Sequence, residues 1–140
     1  MELLKAHHDP HGVALGVAIG SFIGILPLYG LHTIICLAAL FIIPRANKLA
    51  ILVGSNISMP PTIAIITWTA YDIGRLLLPD KNYPPLSLEY LKALNMSRIG
   101  EFYYPLFIGS PALGLLVAVI LYIATWVVAD RIRKSHAGKQ

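Results

Sequence analysis

The chain has 140 residues, of which 56% are apolar and only 13% are charged, and its net charge is +4. An ordinary soluble domain carries about 25% charged residues, and so short a chain cannot cover this much apolar surface in water. The composition therefore argues against a soluble globular protein and favours a single membrane domain over residues 1–140. Basic residues flank the apolar segments instead of forming a nucleic-acid-binding patch.

The first apolar segment contains a regular glycine pattern. Residues 1–11 form a polar, histidine-rich lead, and glycines then recur at every fourth position. On an apolar helix such a stripe lets a second helix approach closely in lipid. We therefore predict a helix-packing face, whose partner is either in the same chain or in a second copy. Its members are Gly12, Gly16, Gly20 and Gly24.

Residues 12–43 are predicted to form a broken apolar helix pair, with the break at Pro27 and Gly30. Each half has a helical length of ~20 Å, which is too short to cross a hydrocarbon core of ~30 Å. A re-entrant hairpin fits these lengths, and a single kinked, tilted helix is the alternative. A cleaved signal peptide fits poorly, because no small-residue cleavage motif follows the apolar stretch.

Residues 49–78 are predicted to form a second broken helix. Pro60 and Pro61 cannot continue a helix from its N-terminal side, whereas proline is tolerated in the first turn of a new helix. We expect a short helix over 49–55 and a longer one from about residue 59, with Ser58 as its N-cap.

The last part of the chain is predicted to contain the clearest span. Residues 79–103 form a polar loop with a short interfacial helix. Residues 104–130 hold a transmembrane helix that is opened by Gly109, Ser110 and Pro111, with Pro111 at a first-turn position and 19 residues from Pro111 to Ala129. Residues 131–140 are a basic tail, which places the C-terminus on the cytoplasmic side. The sequence thus predicts an all-α integral membrane protein with discontinuous, re-entrant helices and one or two full transmembrane spans.

Polar side chains gather at the two breaks and form the candidate ligand site. An ionisable residue at membrane depth is a functional hypothesis by default, whereas the structural alternative is that these groups satisfy backbone freed by the breaks. If two helix N-termini point inward, the site suits an anion such as a lipid phosphate or a small carboxylate. The candidate residues are His32, Thr33, Ser55, Asn56, Ser58 and Thr62.

Other chemistry finds little support in the sequence. Asp72 and Arg75 are expected to form an ion pair on one helix face. No paired carboxylates, nucleophile with a nearby base or glycine-rich phosphate loop predicts an enzyme. No metal or other cofactor is expected, because neither cysteines nor a second cluster accompanies the N-terminal group. That group consists of His7, His8, Asp9 and His11.

Three groups of residues carry a family resemblance. The first is Gly16, Gly20, Phe22, Gly24, Pro27, Gly30, His32 and Thr33; the second is Arg45, Asn47, Ser55, Asn56, Met59, Pro60 and Pro61; the third is Tyr71 and Gly74. In order and spacing, residues 12–78 resemble the prokaryotic membrane family catalogued as domain of unknown function number 2062. That family usually has Pro and Thr where this chain has Ile57 and Ser58. The resemblance implies a prokaryotic membrane protein and no assigned activity.

Two functions from different classes remain open. One is a small multi-pass protein of the prokaryotic cytoplasmic (inner) membrane that is transporter-like or lipid-handling, with an anion or headgroup site at the helix breaks. The other is a structural or accessory subunit of a larger membrane complex, in which the breaks only shape the fold. The expected partners are membrane lipids, and either a second copy of the chain or other subunits.

Overall fold

The computed structural model describes residues 9–28, 31–57, 60–79, 82–93, 95–96 and 98–137. Within these ranges all regular structure is helical and no strand occurs, so the predicted all-α class is confirmed. Two predicted features, Gly30 of the first break and the Ser58 cap, lie outside the described residues, as do residues 1–8 of the lead. The helices are α1 (Pro10–Ile25), α2 (His32–Ile42), α3 (Lys48–Ser55), α4 (Pro60–Leu77), α5 (Leu88–Lys92) and α6 (Ile99–Ala137).

Helices α1 and α3 both begin with a side-chain cap. Asp9 accepts hydrogen bonds from the backbone N–H groups of His11 and Gly12 at 3.2 and 3.3 Å. Asn47 accepts one from the N–H of Ala50 at 3.1 Å. Such caps satisfy donors that have no partner within the helix, and they define where each helix starts.

The glycine face of α1 packs on α3 of the same chain. The two helices run in the same direction, since successive glycines of α1 meet successive turns of α3. A Cβ added at Gly12 would lie 2.9 Å from the carbonyl oxygen of Arg45, and one added at Gly24 would lie 2.8 Å from that of Ser55. Only glycine allows this backbone separation. The glycines that face the 45–55 segment in this way are Gly12, Gly16, Gly20 and Gly24.

The contact between α1 and α3 is reciprocal. A Cβ at Gly20 would lie 2.8 Å from the backbone nitrogen of Ser55, and one at Gly54 would lie 3.2 Å from that of Ser21. Each serine hydroxyl also donates to the carbonyl three residues earlier in its own helix, at 3.0 Å for Ser21 and 2.9 Å for Ser55. The two Gly-Ser pairs are therefore related by a local pseudo-twofold axis.

Residues 12–43 fold as a helical hairpin instead of one kinked helix. The N–H of Asn47 donates to the carbonyl of Gly12 at 2.8 Å, which brings the two ends of the segment together. Helix α2 returns antiparallel to α1 and packs on it through a small apolar cluster. The buried members of this cluster are Ile23, Cys36 and Ala39.

Helices α4 and α6 pack antiparallel, again through glycine. A Cβ at Gly109 would overlap the carbonyl oxygen of Ala70, and one at Gly74 would overlap that of Pro105. Beside this contact the ring of Tyr71 stacks on Phe102 with 5.4 Å between centroids. The larger apolar core surrounds this contact and contains Ile25, Ala70, Tyr71, Leu86, Leu106 and Leu113.

Helix α6 differs from the sequence prediction at its start. The predicted helix opened with Pro111 in its first turn, but α6 begins at Ile99 and holds Pro105 and Pro111 in its interior. Proline interrupts one helical hydrogen bond, which an apolar membrane helix tolerates when its neighbours supply packing. The polar loop is shorter than predicted because α6 begins earlier, and the short helix within the loop is α5, capped by Ser87.

Among the described helices, α6 is the one that is long and apolar enough to cross a membrane. Its middle is largely uncovered by the rest of the protein: Leu115 is 63% exposed and Leu116 is 55% exposed. Two large apolar side chains side by side in water are costly, whereas lipid accepts them. This pattern agrees with a helix that faces lipid along most of its length.

Candidate ligand-binding cavity

One cavity of about 320 Å³ lies where the two helix breaks meet. It exists because α1 and α3 run in parallel and end side by side: a Cβ added at Gly24, the residue before the last of α1, would lie 2.8 Å from the carbonyl oxygen of Ser55, the last residue of α3. Mid-helix residues of α4 and α6 close the other sides. The polar residues that line it are His32, Ser55, Asn56, Thr67 and Ser110.

The cavity joins residues from both predicted breaks. His32 comes from the start of α2, while Ser55 and Asn56 come from the end of α3. Thr33, which neighbours His32 in sequence, lies on the exposed face of α2 and does not line the cavity. Three of the six predicted ligand residues therefore share one cavity, and Thr33 is separate from them.

Of the two remaining predicted ligand residues, Ser58 lies outside the described residues and Thr62 lies in the first turn of α4. This helix begins at Pro60, as the sequence indicated, and Pro61 follows it in the first turn. The hydroxyl of Thr62 donates to the carbonyl of Ile57 at 2.6 Å, which ties the start of α4 to the second break. Thr62 is absent from the cavity lining.

His32 is half-buried at the first turn of α2. Its backbone N–H donates to the carbonyl of Leu28 at 3.0 Å, and its Nε2 lies 3.8 Å from Sγ of Cys36. The residue that precedes the helix, Leu31, provides no side-chain cap. The imidazole is the one ionisable side chain among the described residues that line the cavity.

Backbone groups at both breaks are hydrogen-bonded within the protein. At the first break the hydroxyl of Tyr103 donates to the carbonyl of Pro27 at 3.2 Å. At the second, the side-chain amide of Asn56 donates to the carbonyl of Leu52 at 2.8 Å, and the N–H of Ile57 donates to that of Gly54 at 3.3 Å. These bonds are what a break away from water requires.

Two lining residues escaped the sequence analysis. Ser110 is fully buried, and its hydroxyl donates to the carbonyl of Leu106 at 2.5 Å. In the sequence it directly precedes Pro111, which is predicted to start the last helix, so nothing distinguishes it from a residue at a helix start. Thr67 carried no local signal, since it lies in the middle of α4 and only the tertiary fold brings it to the cavity.

Asp72 and Arg75 lie elsewhere. The guanidinium Nη1 is 3.2 Å from Oδ1 of the carboxylate, and the side chains are 44% and 31% exposed for Asp72 and Arg75 respectively. The pair lines a shallow surface recess at the end of α4. A half-exposed pair of this kind contributes little to stability and takes no part in the cavity.

These observations define a class of protein: a helical bundle around a long apolar helix, with a cavity at two paired helix breaks. Residues 1–137 match the profile of the family described as an uncharacterized protein conserved in bacteria, DUF2062, and the chain belongs to this family. The predicted resemblance is confirmed and extends almost to the C-terminus. No curated protein and no solved structure matches the chain. The bacterial family and the apolar α6 together point to a membrane location.

Proposed function

We propose that the protein is a small multi-pass membrane protein that binds a small polar solute in the cavity between its helix breaks, as a transporter or lipid-handling protein does. One observation carries the proposal: both breaks open onto a single cavity with polar side chains. Irregular backbone at membrane depth is tolerated where protein buries it or where it lines a cavity. Paired interrupted helices are also where membrane transporters place their substrate sites.

Contacts with α6 support a re-entrant placement of the α1–α2 hairpin. Nδ1 of His11 is 2.5 Å from the hydroxyl of Tyr122, and the carbonyl of Pro27 accepts from Tyr103. Along α6 these tyrosines are ~28 Å apart, which is close to the ~30 Å thickness of a hydrocarbon core. The hairpin then enters from the Tyr122 side, turns near the opposite surface and returns beside Gly12.

The same placement gives a topology with a cytoplasmic tail. Helices α3 and α4 together cross from the hairpin ends to the opposite side, and α6 returns. The ends of the hairpin and the end of α6 then share one side, where the chain carries most of its unbalanced positive charge. By the positive-inside rule this side is cytoplasmic. The basic residues concerned are Arg45, Lys48, Arg131, Arg133 and Lys134.

The cavity is then close to the non-cytoplasmic surface. Leu106 and Ser110 line it, and on α6 they lie ~8 and ~14 Å inward from Glu101. A solute therefore needs to enter only the outer part of the hydrocarbon region to reach His32. This depth suits a binding step that begins from the non-cytoplasmic side.

A structural or accessory role is the second candidate, and the length of α6 favours it. Beyond Trp126 the helix continues for ~17 Å to Ala137, with no contact to the cavity. Such a projecting segment offers a surface to another subunit or to a second copy of the chain. In this role the breaks serve only to shape the bundle.

Thiol labelling separates these two functions. Thr67→Cys is made in a Cys36→Ala background, and intact cells are treated with a membrane-impermeant maleimide. The binding function predicts labelling of the cysteine at position 67 from the non-cytoplasmic side. The matched control is Leu116→Cys, because Leu116 is exposed on α6. The proposed placement puts this position in lipid, so the cysteine is expected to stay unlabelled. If neither cysteine reacts while both proteins are folded and inserted, the cavity is sealed and the structural role is favoured.

A further inference from the structure

We infer that the ligand of this cavity is a small monovalent cation, either an alkali cation or ammonium. The inference rests on the proposed function, because it assigns a chemical class to the solute of the same cavity. It differs from the anion expected from the sequence, and the difference comes from the way in which hydroxyl protons and helix ends are arranged around the cavity.

The buried hydroxyl groups that line the cavity already donate their protons to backbone carbonyls. Ser55 donates to the carbonyl of Leu52 at 2.9 Å, and Ser110 donates to that of Leu106 at 2.5 Å. Both serines are buried, and each donates to a carbonyl of its own helix. A hydroxyl has one proton and two acceptor lone pairs. What these two side chains still offer to a ligand is therefore oxygen lone pairs.

Asn56 adds to the same wall of the cavity. One of its amide N–H groups is used by the carbonyl of Leu52 at 2.8 Å, while its carbonyl oxygen is an additional acceptor. Thr67 of α4 also lines the cavity and carries a further hydroxyl group. Neutral oxygens from hydroxyls and amides are the ligands that hard cations prefer in proteins.

The helix ends at the cavity have the polarity that favours a cation. Helices α1 and α3 both terminate there, at Ile25 and Ser55. The C-terminal end of a helix carries partial negative charge on its free carbonyls. Transporters use unwound carbonyls and helix C-terminal ends in this way to coordinate Na⁺.

The donors needed for an anion are few. Helix α4 begins with Pro60 and Pro61, which have no backbone N–H, so its first turn lacks two of the donors that an anion site would use. Among the described helices, α2 alone begins at the lining, at His32, and the backbone N–H of His32 already donates to the carbonyl of Leu28 at 3.0 Å. The anion site expected from the sequence required the N-termini of two helices at the cavity.

The charge of the lining restricts the cation to a monovalent one. Within the described lining there is no aspartate, glutamate, lysine or arginine. Divalent cations are usually held by one or more carboxylates, whereas rings of neutral oxygens can hold a monovalent cation, as selectivity filters do. A cavity with neutral oxygens and no carboxylate therefore fits Na⁺, K⁺ or ammonium better than Mg²⁺ or Ca²⁺.

The test is thermal unfolding of the full chain in lipid nanodiscs. Chlorides of Na⁺, K⁺ and ammonium are titrated against N-methyl-D-glucamine chloride at constant ionic strength. A ligand that binds only the folded state raises Tm with saturation, and we expect a rise of about 3 °C or more with at least one of the three small cations. Phosphate and acetate, added as N-methyl-D-glucamine salts, are expected to leave Tm unchanged.

Serine variants assign the effect to the cavity. Ser110→Ala and Ser55→Ala each remove one oxygen and are expected to raise the half-saturating cation concentration about tenfold. Ser21→Ala is the matched control, because Ser21 is fully buried, donates to the carbonyl of Ala18 and does not line the cavity. It is expected to lower Tm without changing half-saturation.

The possible outcomes separate the inference from the proposed function. Saturable stabilisation by phosphate or acetate, and by none of the cations, would overturn the cation assignment while a solute site in the cavity remained. Equal shifts of half-saturation in Ser110→Ala and Ser21→Ala would place the cation outside the cavity and overturn the inference. If no ion changes Tm, the cation assignment fails, and the labelling of Thr67→Cys then decides whether the proposed function fails with it.

Discussion

The backbone N–H of Asn47 donates to the carbonyl oxygen of Gly12 over 2.8 Å, although most of the α1–α2 hairpin separates the two residues in sequence. This bond places the start of α3 beside the start of α1. The helices run in parallel from there, and their ends also meet, since a Cβ added at Gly24 would lie 2.8 Å from the carbonyl oxygen of Ser55. The two breaks therefore open onto one cavity. The position of the candidate site thus follows from the way in which the hairpin closes.

The first prediction concerns the contact between α1 and α3. Gly20→Ala places a methyl group against the carbonyl oxygen of Ile51 and 2.8 Å from the nitrogen of Ser55. Backbone cannot move aside as a side chain does, so the helices must separate, and we expect a loss of about 1–3 kcal/mol in the free energy of unfolding. Reversible unfolding in mixed micelles measures this loss.

Gly100→Ala is the control for this prediction, because nothing lies within 4 Å of a Cβ at that position. There alanine is expected to be neutral or to stabilise the start of α6 by up to about 1 kcal/mol. Equal destabilisation by the two variants would show that α1 and α3 do not pack through the glycine face.

The second prediction ranks two glycines of α6. Gly109→Ala brings a Cβ into the carbonyl oxygen of Ala70, whereas Gly114→Ala brings one to 3.1 Å from a ring carbon of Phe22. A phenyl ring can shift by a few tenths of an ångström and a packed helix backbone cannot. Gly109→Ala should therefore lower Tm considerably more than Gly114→Ala. The reverse order would contradict the antiparallel packing of α4 on α6.

The third prediction concerns the polar contact at the end of α4. The hydroxyl of the buried Tyr71 side chain donates to the carbonyl of the exposed Pro84 at 2.9 Å, and Tyr71→Phe removes this hydrogen bond. We expect a cost of about 1–2 kcal/mol, with the stacking on Phe102 retained. Tyr83→Phe is the comparison, since the Tyr83 hydroxyl makes no hydrogen bond to the described residues. If Tyr71→Phe and Tyr83→Phe have the same free energy of unfolding, the carbonyl of Pro84 is solvated and its hydrogen bond to Tyr71 contributes nothing to stability.

The fourth prediction is that the ion pair between Asp72 and Arg75 contributes little to the stability of the protein. Asp72→Asn removes the ion pair with Arg75, and a partly exposed pair is worth less than about 1 kcal/mol. The difference from the unsubstituted protein should shrink further in 1 M salt, because salt screens exposed charges. Maleimide labelling of Thr67→Cys should be unchanged by Asp72→Asn. A change in that labelling would instead couple the ion pair to the cavity.

Much of the local structure could be predicted from the sequence because it depends on backbone chemistry. Prolines mark the breaks at Pro27 and Pro60, since they remove donors and clash with the preceding turn. The glycine spacing indicates a close helix contact for a similar reason. These signals lie within a few residues of the features that they produce, so they need no knowledge of the tertiary fold.

The helices that pack against the glycine face and the residues that surround the breaks could not be predicted, because they depend on the tertiary fold. The same glycine spacing is compatible with a second copy of the chain. The contact with α3 of the same chain, with its bond between Gly12 and Asn47, is seen only in the fold. The polarity of the cavity also depends on whether helices end or begin there. Ser110 was missed because Pro111 was expected to start a helix that in fact begins at Ile99.

The central claim is that α1 and α2 form a re-entrant hairpin whose two ends lie on the cytoplasmic side. Paired topology reporters, active on opposite sides of the membrane, test it most directly when fused after Lys5, Asn47, Lys81 and the C-terminus. The account predicts cytoplasmic signals at Lys5, at Asn47 and at the C-terminus, and a signal from the opposite side at Lys81. Opposite sides for Lys5 and Asn47 would show that residues 12–43 cross the membrane, which would contradict the hairpin and the cavity built on it.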